Sequence, residues 1–111
     1  MTTEERNTAL YQKMFAEQER FKDWLLEQPP EEILRHAYEY TVREDILMSL
    51  EYHDLEEDRV NALLKSRNPL QKIFQEWESR ETGYMDMIWD TVEEQAKTEQ
   101  SRQKLKAQKE R

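Results

Sequence analysis

Residues 21–38 read FKDWLLEQPPEEILRHAY, and this stretch decides the fold. Phe21 and Leu25 lie one helical turn apart, with Trp24 beside them, so the segment approaching the prolines has helical spacing. Pro29 and Pro30 cannot extend that helix, because each lacks an amide hydrogen and its ring collides with the preceding turn. Pro30 does suit the first turn of a new helix, where Glu31 and Glu32 would meet the positive end of the dipole. Ile33, Leu34, Ala37 and Tyr38 then recur at threes and fours, and they are the face this second helix is expected to bury. The stretch reads as the stop of one helix and the start of another.

Upstream, Thr2-x-x-Glu5 can form a capping box, which starts the first helix at Thr2 or Thr3. Its stripe is Leu10, Met14, Phe21 and Leu25, flanked by Phe15 and Trp24. Downstream, Thr41-x-x-Glu44 is a second capping box. It either opens a short third helix carrying Ile46, Leu47 and Leu50 or lies within one helix from Pro30 to Tyr52; both readings fit. His53-Asp54 reads as a turn, and Asp54-x-x-Glu57 as the cap of a helix that buries Val60, Leu63 and Leu64 and ends at Lys65-Ser66. Asn68-Pro69 sets a cap followed by proline at the first helical position, after which Leu70, Ile73, Phe74 and Trp77 keep one amphipathic face. The last helix follows Thr82-Gly83, with Tyr84, Met87, Ile88, Thr91 and Val92 on one side and Met85 and Trp89 as a second ridge. After Ala96 the apolar signal nearly stops. The expected fold is all-α, a compact single-domain bundle of five or six helices over residues 1–96. Residues 97–111 form a basic polar tail, either a helical extension or disordered.

A chain of 111 residues is one domain's worth. Charged residues make up 38%, against a usual value of about 25%. Leu, Ile, Val and Phe together number only 21, near the composition of disordered chains. Five Met, five Tyr and three Trp make up the apolar deficit. The absence of cysteine excludes a disulfide framework and thiolate chemistry and suits a reducing compartment. The start, Met1 to Arg6, lacks the pattern of a signal peptide, and no apolar run exceeds three residues, so a cytoplasmic protein is expected, with no membrane partner. A single glycine, Gly83, cannot write a Gly-rich phosphate loop.

The net charge of −8 is unevenly spread. Residues 31–58 carry −8 and residues 76–94 carry −6, while 59–75 and 95–111 each carry +4 and the first thirty carry −2. The acidic run Glu44, Asp45, Glu51, Asp54, Glu56, Glu57 and Asp58 is in most proteins of this kind a solvated face. Read functionally, it presents a negative field resembling a nucleic-acid backbone, drawing in a basic groove on another protein and excluding its proper ligand. Direct binding of nucleic acid by this chain is not expected. Trp24 and Trp89 lie beside their helices' main stripes and are the aromatic residues least suited to the core, hence candidates for partner contact. Glu32, His36 and Glu39 stand one turn apart and could share a metal, but two histidines cannot build a His-rich site, and a solvated face is the preferred reading. Ser49, Ser66, Ser79 and Ser101 sit in no nucleophile context. No catalytic, cofactor-binding or metal residue is assigned.

Three segments carry a resemblance: His36 to Tyr52, HAYEYTVREDILMSLEY; Ala62 to Lys65 leading to Asn68-Pro69-Leu70; and Tyr84 to Glu93, YMDMIWDTVE. Over about Leu10 to Ala96 the chain resembles domain-of-unknown-function family 3848, small proteins of mobile elements in Gram-positive gut bacteria. The family has no established activity, so the resemblance implies a genetic setting and supplies no site residue. In that setting small accessory proteins blunt restriction or CRISPR nucleases or assist transfer. The leading expectation is therefore a non-enzymatic module that binds and inhibits a nucleic-acid-handling host protein through its acidic faces. The alternatives are a self-associating adaptor with apolar contacts through Trp24, Met85 and Trp89, and a metal-dependent enzyme using Glu32, His36 and Glu39.

Overall fold

The computed structural model describes residues 1–80 and 83–109. Among these described residues five helices follow one another: α1 (Thr3–Leu26), α2 (Pro30–Tyr52), α3 (Glu57–Lys65), α4 (Pro69–Arg80) and α5 (Tyr84–Lys109). The fold is all-α, with no strand among the described residues. By contacts the chain divides into two units, Met1–Glu78 and Ser79–Arg111.

In the first unit, α1 begins on the capping box its sequence encodes. The Glu5 amide donates to Thr2 Oγ1 at 3.1 Å and the Thr2 amide to Glu5 Oε1 at 3.3 Å. The helix ends at Leu26, ahead of the two prolines, and α2 restarts with Pro30 at its first position. It then runs unbroken to Tyr52, because Thr41 donates its hydroxyl to the Ala37 carbonyl at 3.0 Å inside the helix instead of capping a new one. Cross-contacts from Tyr11 to Glu51, Gln18 to Glu44 and Trp24 to His36 make α1 and α2 an antiparallel hairpin. Helix α3 runs along α1 in the same direction: Arg6 reaches Glu57 and Asn61, and Lys13 donates to the carbonyls of Leu64 at 2.6 Å and Ser66 at 2.7 Å. At the centre sit Leu10, Met14, Leu47, Val60 and Leu70. Each such fully buried side chain contributes on the order of 1.5–3 kcal/mol.

Two local expectations give way to longer-range packing. The face Ile33, Leu34, Ala37 and Tyr38 is not the buried one: Leu34 is 76% exposed, and Ala37 and Tyr38 are also exposed. The stripe turned inward is instead Ile33, His36, Tyr40, Arg43, Leu47 and Leu50, with the spacing 3-4-3-4-3 that seats one helix along another. Asp54 does not cap α3. Residues 53–56 form an extended link, not a turn, and Glu56 occupies the cap position with no side-chain hydrogen bond.

Helix α4 follows Asn68, whose φ of 55° lies in the left-handed region that asparagine tolerates better than most residues. Its first free amides are satisfied from α1: Leu70 N and Gln71 N donate to Glu17 Oε1 and Oε2, both at 2.9 Å. Leu70 and Phe74 are buried, while Trp77 at the end of the same stripe donates its Nε1 hydrogen to the Tyr38 hydroxyl at 3.1 Å.

The second unit contains one long helix. The Gly83 carbonyl accepts from Met87 N at 2.9 Å to begin α5; Thr82, expected to share in that start, lies outside the described residues. Helix α5 continues unbroken to Lys109, so residues 97–109 extend the helix. Its 26 residues span about 39 Å, and none is buried. No helix among the described residues is long and apolar enough to cross a membrane.

Candidate functional site

The acidic segment is built at the meeting of the end of α2, the extended link and the start of α3, and α1 holds it there. Asn7 treats Leu55 as a partner strand would, donating Nδ2 to its carbonyl at 3.0 Å and accepting from its amide at 2.9 Å. Arg6 Nη1 meets Glu57 Oε1 at 2.7 Å, and the Tyr11 hydroxyl donates to Glu51 Oε1 at 2.8 Å. Leu55 packs against the core from the middle of the link. A link without secondary structure is thereby fixed by side chains of a rigid helix.

The seven acids fall into distinct groups. Glu44, Glu51 and Glu57 accept from Gln18, Tyr11 and Arg6 respectively, so part of their charge serves the packing. Asp54, Glu56 and Asp58 are exposed, and their carboxylates make no hydrogen bond or ion pair among the described residues. Asp45 stands apart from them on the exposed side of α2 that also carries Thr41, Met48 and Tyr52. Glu51 and Asp54 join Glu4, which the sequence reading left out, around a cleft of about 300 Å³ floored by Asn7, Tyr11 and Leu50. Glu4 stands 47 positions from Glu51, so only the fold brings the two to one cleft.

These charges register on the neighbouring phenols. Tyr11 is held above its ordinary value of 10.0, chiefly by its hydrogen bond to Glu51, with partial burial and the charges of Glu51 and Glu44 acting the same way. Tyr40 is raised by burial first and then by Glu44, with Lys22 opposing.

Trp24 sits toward the far end of the hairpin, 44% exposed. It stacks on Phe21 at 5.9 Å between ring centroids and meets the His36 ring edge-on at 5.3 Å. The buried Arg43 guanidinium lies 4.1 Å from the Phe21 ring centroid and is gripped by Glu39 at 2.7 Å. Glu32 faces His36 Nε2 at 3.8 Å, while Glu39 faces Nδ1 at 3.5 Å. The two carboxylates therefore address different ring nitrogens and do not converge on one point, and Glu39 is already committed to Arg43. Trp89 lies on α5, in the second unit, 60% exposed.

The family model described as Protein of unknown function (DUF3848) matches residues 6–100. No curated protein and no solved structure matches the chain significantly. The chain belongs to this family.

Proposed function

We propose that, as a member of this family, the chain is a non-enzymatic, cytoplasmic binding module that offers its acidic segment to a basic surface on another protein. The observation that supports this reading is the division of labour among the acids. Arg6, Asn7 and Tyr11 anchor the segment through Glu57, Leu55 and Glu51, and Asp54, Glu56 and Asp58 are left exposed and unpaired. Carboxylates on a pinned backbone lose little entropy on docking, and their field accelerates encounter with a cationic groove. A groove that binds phosphates would be blocked by such an occupant, since the two compete for the same cations. The mobile-element setting implied by the family resemblance makes a host restriction or CRISPR nuclease the partner class to try first.

The test starts from a partner captured from host lysate and measures its association rate with the wild-type chain and with Asp54→Asn, Glu56→Gln and Asp58→Asn combined. The expected result is a rate lowered about tenfold at low salt, a flatter salt dependence, and competition by the partner's own nucleic acid. An unchanged rate and salt slope in a folded variant would overturn the reading.

A further inference from the structure

We propose that α5 pairs with the α5 of a second copy in antiparallel orientation, laying the acidic first half of each helix along the basic second half of the other. Among the described residues of the unit Ser79–Arg111 the one long helix is α5, and one helix cannot cover its own apolar stripe. That stripe is substantial: Met87 is 69%, Val92 49% and Ile88 40% exposed on it, and Met85 at 71% and Trp89 at 60% form the ridge beside it.

Charge selects the occupant. Residues 84–96 contain Asp86, Asp90, Glu93 and Glu94 and no base, a net −4. Residues 97–109 contain five bases and Glu99, a net +4. The ion pairs seen within α5, Glu94–Lys97 at 3.9 Å and Glu99–Arg102 at 3.5 Å, are exposed and weak. A parallel pair would set like halves together. An antiparallel pair sets each −4 half against a +4 half, twice, about one two-fold axis.

Centring the pair on the bond between Ala96 and Lys97, the midpoint of α5, sets Ile88 level with Leu105 and Trp89 level with Lys104. Ile88 and Leu105 are 17 positions apart, which corresponds to the a and d positions of a heptad, so both can face one seam. Trp89 and Lys104 then fall at the outward b and c positions, while Met85 and Met87 flank the seam at e and g, where lysine stems of the partner helix can cover them. None of the acids of the α2–α3 segment takes part in this pairing.

The chain has no cysteine among its residues, so introduced thiols report orientation cleanly. Full-length I88C/L105C, I88C and L105C are oxidised in parallel, with circular dichroism confirming the helix and sedimentation following the wild-type chain at low and high salt. The expected outcome is a disulfide-linked dimer from the double variant and little from either single variant, with wild-type association weakening at least about tenfold on going from low to high salt. Reversing Asp86, Asp90, Glu93 and Glu94 to Lys should abolish self-association. Mixing that variant with one carrying Glu at positions 97, 102, 104 and 106 should restore a dimer. A wild-type monomer at all concentrations, efficient linking by I88C or L105C alone, or association indifferent to salt would each overturn the proposal. The combined Asp54, Glu56 and Asp58 variant should dimerise like wild type, which keeps this test distinct from that of the acidic segment.

Discussion

Helices α1 and α5 are nearly equal in length, 24 and 26 residues, and both carry apolar residues at helical spacing, yet α1 buries five residues and α5 none. The difference lies in what each helix has for neighbours. Helix α1 is the axis of the first unit: α2 runs back along it, α3 runs forward along it, and Glu17 reaches α4. A 3.6-residue period identifies the face a helix could bury, and only a partner of matching shape and charge makes burial happen.

The sharpest way to break this comparison is to truncate one apolar side chain in each helix. Leu10→Ala should cost about 3 kcal/mol, the usual loss for a leucine in a filled core, whereas Ile88→Ala should change the stability of dilute protein by less than about 0.5 kcal/mol. Urea unfolding of both variants decides it, and equal losses would erase the contrast. The polar side of α1 comes next. Glu17→Ala removes both acceptors from the first amides of α4 and should cost about 2 kcal/mol, while Glu17→Gln, which keeps one oxygen, should cost about half of that. Deleting residues 97–111 should leave the melting of the first unit within a few degrees, corresponding to less than about 1 kcal/mol.

The smallest expected effect depends on pH. Tyr11 and Tyr40 titrate above 10.0 in the folded chain. Since their folded values exceed the unfolded one, their contribution is complete below that pH and declines as pH rises through the raised values. Urea midpoints followed from about pH 8 to about pH 11 should fall more steeply for wild type than for Tyr11→Phe, whose share is absent. Parallel curves would show that the phenol at Tyr11 adds nothing.

What could be read in advance was what local chemistry decides. The Thr2–Glu5 box, the proline stop and restart, and the end of α3 at Lys65 depend on residues within one turn of each other, and all stand where the sequence places them. The inward stripe of α2 was hidden because three of its six positions, His36, Tyr40 and Arg43, bear polar groups that the apolar pattern passes over. Their burial depends on Phe21 and the rest of α1, which no window local to α2 contains. Glu17 and Gln18 were illegible for the same reason: a glutamate reads as surface until the amides it serves are known. In the acidic segment the charges were plain in the sequence, but their sorting into anchored and exposed members was not, because Arg6, Asn7 and Tyr11 lie 40 to 51 positions from the groups they bind.

The carboxylate of Glu17 closes a loop of 53 residues when it reaches Leu70. Such a contact gives nothing until the α1–α2 hairpin has formed and α3 has laid itself along α1, since only then is the start of α4 delivered to it. It belongs to the late, downhill side of the folding barrier, where losing an interaction accelerates escape from the native state and leaves the approach to it almost untouched. In a chevron experiment Glu17→Ala should therefore raise the unfolding limb and leave the refolding limb in place, making this side chain a latch that governs how long the folded unit persists.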